Sequence, residues 1–138
     1  MIIDATDLIV GRMGTVVAKK ALLGEKIDIV NCENAVISGS KREIISRYMH
    51  EKKRGTPAKG PFISRMPDRF VRRIIRGMLP YKKEKGEKAF DNIMCYIGVP
   101  KQFEGKKFEG IENADINNKQ IVKFITIKDL CKQMGTKL

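Results

Sequence analysis

Two kinds of hydrophobic pattern follow one another along the chain. Short runs rich in isoleucine and valine occur in "MIIDA" at the N-terminus, in "KIDIVNC" at residues 26–32 and in "IVKFITI" at residues 121–127. Runs of this length with β-branched residues are typical of buried strands. "AVISG" at residues 35–39 predicts one more short strand.

The first helical pattern is in "GRMGTVVAKKALLGEK", residues 11–26. Apolar residues recur there three and four positions apart, which predicts a helix with one face on the core. Gly24 is a suitable C-terminal stop. The predicted core positions of this helix are Met13, Val16, Val17, Ala21, Leu22 and Leu23.

The second helical pattern covers residues 41–54, "KREIISRYMHEKKR". Ser40 is placed to cap it, and Glu43 stands three residues later, as in a capping box. The apolar side of this helix is predicted to hold Ile44, Ile45, Tyr48 and Met49. The next stretch, "GTPAKGPF" at residues 55–62, has two glycines and two prolines and predicts an extended loop.

A third helix is predicted from Pro67 and Asp68, which suit a first helical turn, to the stop signals Gly77 and Pro80. At 100° per residue its two faces separate completely. One face is apolar, with Phe70, Val71, Ile74, Ile75 and Met78. The opposite face, predicted to lie in solvent, carries Arg69, Arg72, Arg73 and Arg76.

The rest of the chain predicts two further helices and a loop. "EKGEKAFDNIM", residues 84–94, indicates a short helix whose apolar residues are Ala89, Phe90, Ile93 and Met94, followed by a strand end in "CYIGVP". Residues 101–120 are polar and rich in glycine and asparagine, which predicts a mobile loop, and "KDLCKQMG" closes the chain as a helix. Alternating strands and helices favour an α/β domain whose mainly parallel sheet has about four strands and is covered by helices on both faces.

The positive charge is concentrated in the middle of the chain. The formal net charge is +12, and residues 41–88 hold 16 of the 28 Lys and Arg but only 5 of the 16 Asp and Glu. The central segment therefore carries +11 and the rest of the chain +1. We interpret the ends as a near-neutral scaffold and the segment as a basic central extension that binds an anionic partner. A solvated face that only maintains solubility is the simpler alternative, but solubility does not require concentrated charge.

Other features limit the possible classes. A chain of 138 residues predicts one domain, and Cys32, Cys95 and Cys131 are odd in number and widely spaced, which indicates buried, reduced thiols. The N-terminus lacks the pattern of a signal peptide, and no apolar run has the roughly 20 residues that span a bilayer. We therefore expect a soluble intracellular protein that has no membrane partner.

No catalytic or metal-binding constellation stands out. Gly11 and Gly14 form a G-x-x-G without the rest of a nucleotide-binding motif, so close helix–sheet packing is the simpler interpretation. His50 is the only histidine and has no metal-ligand spacing around it. A nucleotide-using enzyme built on the two glycines and a membrane-surface protein built on the third helix remain as rival hypotheses. We predict that the chain is not an enzyme and has no cofactor and no small-molecule substrate.

Nucleic acid is the partner that the basic segment favours. Arginine binds phosphate oxygens in pairs, and lysine adds long-range attraction. Tyr48, Phe62, Phe70 and Tyr81 are interleaved with the basic residues and could stack on unpaired bases, although Phe70 fits the core better.

Several blocks of this sequence closely resemble one known family. "GRMGTVVAKKALLG", "ENAVISGSK", "GPFISRMPDRF", "VRRIIRGMLPYKKEKGEKA" and "YIGVP" are similar, in order from Ile2 to about Pro100, to the universal large-subunit ribosomal protein thirteen family, most closely its archaeal and eukaryotic branch. The resemblance implies a three-layer α/β/α fold with a parallel sheet. It also implies a structural role in the large ribosomal subunit in the cytoplasm, where the protein would bind ribosomal RNA, contact neighbouring ribosomal proteins and support assembly.

Together, the charge pattern and the resemblance predict a set of RNA-binding residues. They are Arg12, Lys41, Arg42, Arg47, Lys52, Lys53, Arg54, Lys59, Arg65, Arg69, Arg72, Arg73, Arg76, Lys82, Lys83 and Lys85.

Overall fold

The structure is a computed structural model that describes residues 1–138. Five strands and five α-helices follow one another in mixed order. They are β1 (Ile2–Asp4), α1 (Val10–Leu22), β2 (Ile27–Val30), β3 (Val36–Ser38), α2 (Lys41–Lys53), α3 (Pro67–Arg76), α4 (Glu84–Asp91), β4 (Ile93–Cys95), β5 (Phe124–Thr126) and α5 (Ile127–Gln133). The predicted mixed α/β class is confirmed.

The strands form two separate groups. β1, β2 and β4 make a parallel sheet in the order β1-β2-β4, with Ile29 of β2 opposite Ile3 on one side and Cys95 on the other. β3 and β5 form an antiparallel pair. The prediction of a single sheet of about four strands is therefore wrong. Asn31 has a left-handed backbone (φ 55°) and leads into a 3₁₀ turn, so the chain changes direction between β2 and β3.

One main core connects most of the elements. Twenty-five buried apolar residues form a single cluster that extends from Ile3 in β1 to Met134 after α5. Cys32, Cys95 and Cys131 are all buried, as predicted. Burial, together with the nearby Asp68 carboxylate, raises the pKa of Cys131 to about 12, so its thiol stays neutral.

The apolar faces predicted for α2 and α3 are confirmed in most positions. Phe70, Val71 and Ile75 are buried, and the four apolar residues predicted for α2 are half-buried against the core. Leu23 was predicted to belong to the core of α1, but it lies just beyond the end of that helix and is 76% exposed. Ser40 is the N-cap residue of α2, yet its side chain makes no capping hydrogen bond, so the predicted capping box does not form.

Gly14 allows α1 and α3 to pack closely. A Cβ atom at this position would lie 3.0 Å from Met78 Sδ and 3.6 Å from Ile75 Cγ1. Gly11 and Gly14 both lie within the beginning of α1 and not in a turn before it. Close packing is thus the role that the structure gives Gly14, although the partner is a helix and not the sheet.

Two boundaries differ from the sequence prediction. The fourth helix ends at Asp91, and Ile93 and Met94 belong to β4, where Ile93 and Cys95 are buried and Met94 is exposed. That alternation has the two-residue period of a strand, which a short apolar run does not distinguish from a helix.

Residues 101–120 contain no α-helix and none of the five strands, as predicted for a loop, but they are attached to the rest of the fold. They contain three 3₁₀ turns, and Phe103, Ala114 and Ile116 are buried. The segment is joined to the scaffold by backbone hydrogen bonds, because Glu109 N donates to Ile2 O at 2.8 Å and Ile9 N donates to Ala114 O at 2.8 Å. No helix in the structure has the length and apolar character needed to cross a bilayer.

Candidate nucleic-acid interface

The arginine-rich face of α3 forms one wall of a groove. Pro67 begins the helix, and Gly77 caps its end. The buried apolar face fixes the rotation of α3, so that its arginines lie on the opposite side of the helix. The groove has a volume of about 200 Å³ and is lined by Phe62, Ser64, Arg69, Arg72, Arg73, Arg76 and Phe90. We call it the arginine groove.

Arg72 does not lie on an open solvent face, contrary to the sequence prediction. Its side chain is half-buried, its Nε donates to Ile93 O at 2.9 Å, and its Nη2 donates to Phe90 O at 3.2 Å. The guanidinium carbon also lies 3.9 Å from the centroid of the Phe90 ring. Arg72 therefore joins α3 to α4 and β4, and this architectural role was not foreseen.

Arg73 and Arg76 are also half-buried and contact the protein more lightly. Arg73 Nη1 donates to the backbone oxygen of Phe62 at 2.7 Å, which attaches the preceding loop to α3. The Arg76 guanidinium lies 5.1 Å from the centroid of the Tyr81 ring. Arg69 is exposed. These three side chains have donors left to bind an anion in the groove.

A second basic pocket lies where α2 runs into the following loop. It has a volume of about 230 Å³ and is lined by Lys52, Lys53, Arg54, Gly55, Thr56, Pro57, Gly60, Pro61 and Phe62. We call it the lysine pocket. Residues 55–62 are neither helix nor strand, as predicted, but they are not fully extended. Gly60 N donates to Thr56 O at 2.6 Å and closes a tight turn.

Lys52 has a contact that the sequence did not reveal. Its Nζ donates to Met134 O at 2.5 Å, at the C-terminal end of α5. A cation is favourable at that end of a helix, because the last carbonyl groups carry partial negative charge. Lys52 therefore connects α2 to the end of α5 as well as lining the lysine pocket.

The basic segment has few acidic partners within the protein. Of its 16 Lys and Arg, Arg47 pairs with Glu51 at 3.6 Å and Lys88 pairs with Glu84 at 2.6 Å, and no others form a salt bridge. Both pairs are exposed and contribute little stability. The positive charge of the segment is thus largely uncompensated, which favours an anionic partner.

The remaining predicted residues lie on the surface around these features. Arg12 is exposed on α1, with Nη1 3.4 Å from Asn113 O, and it lies outside the linings of the arginine groove and the lysine pocket. The structure brings seven of the sixteen predicted residues into those linings. The others that are exposed on the surface are Lys41, Arg42, Arg47, Lys59, Arg65, Lys82, Lys83 and Lys85.

The aromatic residues of the basic segment divide into two groups. Tyr48 and Phe70 pack edge to face, with ring centroids 5.1 Å apart, and burial raises the pKa of Tyr48. Phe62 and Tyr81 are 73% and 44% exposed. Phe90 was not predicted as part of the site, and its contact with Arg72 joins residues 18 positions apart, which no local pattern indicates.

No group of three or more His, Cys, Asp and Glu side chains is placed to hold a metal ion.

Comparison with known proteins gives a consistent result. Residues 1–102 match the family model described as ribosomal protein L13. The chain is 41% identical over 136 residues to the large ribosomal subunit protein uL13 of Methanococcoides burtonii, covering 99% of this chain and 98% of the relative. It is 43% identical over 133 residues to the protein of the same name from Picrophilus torridus, covering 96% and 95%.

A third relative, from Archaeoglobus fulgidus, has the same name and is 38% identical over 135 residues, which cover 97% of this chain and 86% of that protein. These relatives are named as ribosomal proteins and not as enzymes, in agreement with the prediction that the chain has no catalytic role. Both the family model and the full-length relatives support one assignment: the chain belongs to the ribosomal protein L13 family.

Proposed function

We propose that this protein is a structural constituent of the large ribosomal subunit in the cytoplasm, where it binds ribosomal RNA and supports assembly of the subunit. It acts as a single domain, residues 1–138, with residues 41–88 as the RNA-binding segment. Neighbouring ribosomal proteins are its further partners. Family membership supports the cellular role, and the charge distribution supports the mode of binding.

The observation that carries the proposal is the arginine groove with its uncompensated charge. Four arginines line one groove of about 200 Å³, and none of them forms a salt bridge. Arginine's planar fork fits phosphate oxygens, and the absence of competing carboxylates leaves that capacity to a partner. The mechanism is therefore neutralisation of RNA phosphates by a surface fixed on a folded scaffold.

Neutralisation of phosphates has a measurable signature in the salt dependence of binding. If 6 to 10 phosphates are contacted, the affinity for RNA falls by about 10³–10⁵ between 50 and 200 mM salt. We predict this slope for the wild-type protein, titrated against large-subunit ribosomal RNA transcripts in a filter-binding assay.

A matched pair of variants locates the contacts. Lys53→Ala with Arg69→Ala removes two charges from the proposed surface, and both side chains are exposed, so the fold is retained. Lys123→Ala with Lys128→Ala removes two exposed charges outside the segment. The first pair is expected to reduce the slope by about 1–2 and the second to leave it unchanged. Equal losses for both pairs would show that only net charge matters and would contradict the assigned surface.

A further inference from the structure

Phe62 lies between the two basic concavities of the molecule. It is the residue that lines both the arginine groove and the lysine pocket. Its side chain is 73% exposed, although phenylalanine is among the residues that gain most from burial. A single exposed apolar residue needs no explanation by itself, but this one is flanked by positive charge on two sides.

The backbone around Phe62 is held from several directions. Arg73 Nη1 donates to Phe62 O at 2.7 Å, and Thr136 Oγ1 donates to Arg65 O at 2.6 Å. On the other side, Gly55 adopts a left-handed backbone (φ 83°), and a Cβ there would lie 2.5 Å from Gly60 Cα. The loop is therefore closed at its base, and the exposure of the ring follows from a fixed backbone.

The other aromatic residues of the segment do not offer a comparable free ring. Tyr48 and Phe70 pack against each other, and the Arg76 guanidinium lies over Tyr81. Phe62 takes part in no aromatic pair and has no cation over its ring. Its ring is thus the aromatic surface that remains open to a ligand.

The arginine groove and the lysine pocket can each bind a phosphate, and the Phe62 ring lies between them. This order matches the chemical groups of one nucleotide within a strand. Such a nucleotide has a flat base and a phosphate on both its 5′ and 3′ sides. In a duplex the faces of the bases are already stacked, so only an unpaired nucleotide can present its base to a protein ring. Stacking of a base on an aromatic side chain contributes about 1–3 kcal/mol.

We propose that Phe62 stacks on the base of one unpaired RNA nucleotide whose two flanking phosphates lie in the arginine groove and the lysine pocket. The proposal rests on the proposed function, because it specifies which part of an RNA this surface binds. Arg69, Arg73 and Arg76 hold one phosphate, and Lys53 and Arg54 hold the other. Recognition depends on an exposed base and not on its identity, since every base has a stacking face.

The test compares three anionic probes, of which only the first has an accessible base. They are an RNA hairpin with a single-nucleotide bulge, the same hairpin fully paired, and inorganic polyphosphate. Phe62→Leu removes the aromatic ring and keeps an apolar side chain, Phe62→Tyr restores a ring, and Leu23→Ala changes another exposed apolar residue. Fluorescence anisotropy with the labelled hairpins measures the affinity for each hairpin directly. The affinity for polyphosphate is measured by its ability to displace a labelled hairpin.

We expect Phe62→Leu to weaken binding of the bulged hairpin by about 5- to 150-fold, the range that stacking of one base provides. Binding of the paired hairpin and of polyphosphate stays unchanged, Phe62→Tyr retains wild-type affinity, and Leu23→Ala has no effect. Because the ring is exposed, urea denaturation of Phe62→Leu is expected to match that of the wild type.

Two results would overturn the proposal. Unchanged affinity of Phe62→Leu for the bulged hairpin would mean that no base stacks there, and an equal loss for all three probes would mean that the ring only shapes the loop. Failure of the proposed function would give a different result. The wild-type protein would then bind both hairpins weakly, and Lys53→Ala with Arg69→Ala would not change the salt dependence of that binding.

Discussion

At the scale of single residues, Arg72 shows that an arginine in a basic segment can hold the fold together as well as line a surface groove. Its three contacts, to Ile93 O, Phe90 O and the Phe90 ring, use two of the five N–H donors and one face of the guanidinium. Arg69, one turn earlier on the same helix, is exposed. Because the two side chains have the same charge, substituting each in turn separates the effect of lost contacts on stability from the effect of lost charge.

We predict that Arg72→Ala lowers the free energy of unfolding by about 2–3 kcal/mol, because it removes two hydrogen bonds from a charged donor and a cation–π contact. Arg69→Ala is expected to change it by less than about 0.5 kcal/mol. Urea denaturation followed by circular dichroism measures both. Arg72→Lys is a useful control, since lysine keeps the charge but lacks the fork and should also be destabilised. Equal stability of Arg72→Ala and Arg69→Ala would show that the contacts of Arg72 are unimportant.

At the scale of elements, the turn after α3 and the helix α4 depend on one glycine. A Cβ at Gly86 would lie 2.1 Å from Pro80 O and 2.8 Å from Tyr81 N, which no real Cβ tolerates. The turn carries Lys82 and Lys83, so α4 sets the position of this part of the basic segment. Gly11 is also in a helix, but a Cβ there would meet nothing within 4 Å.

These two glycines predict opposite results for the same substitution. Gly86→Ala forces the backbone of the turn to move and is expected to destabilise the protein by about 1–3 kcal/mol. Gly11→Ala should be neutral or stabilise it by up to about 1 kcal/mol, because alanine favours the helix. Thermal unfolding distinguishes them. If Gly86→Ala were as stable as Gly11→Ala, α4 could not lie as close to the turn at Pro80 as the structure shows.

The elements also show what the sequence could and could not predict. Helix α3 was predictable in position and orientation, since Pro67, Gly77 and a clear apolar period define it. The pairing of β3 with β5 was not, because it joins segments far apart in sequence and leaves no local signal. The location of the positive charge in residues 41–88 was also predictable, because it follows directly from the sequence. The partners of Arg72 were not, because their carbonyl groups come from 18 and 21 residues further along the chain.

At the scale of the whole molecule, the residues of the main core come from the whole chain, but the excess positive charge comes from one segment. The main core collects residues from β1 to beyond α5, whereas nearly all of the excess charge belongs to residues 41–88. Within that segment, α3 belongs to both the main core and the basic surface, since its apolar face is buried and its arginines line the arginine groove. The proposed RNA-binding surface is fixed in this way to the core, so binding would require little ordering of the chain, which favours tight association.

The measurement that tests the central claim most directly is sedimentation of a cell lysate through a sucrose gradient, with and without magnesium chelation to separate the ribosomal subunits. Immunoblotting locates the protein in the fractions. The account predicts that the protein migrates with intact ribosomes and, after chelation, with the large subunit. A pool that stays at the top of both gradients, with little in the large-subunit fractions, would contradict a structural role in that subunit.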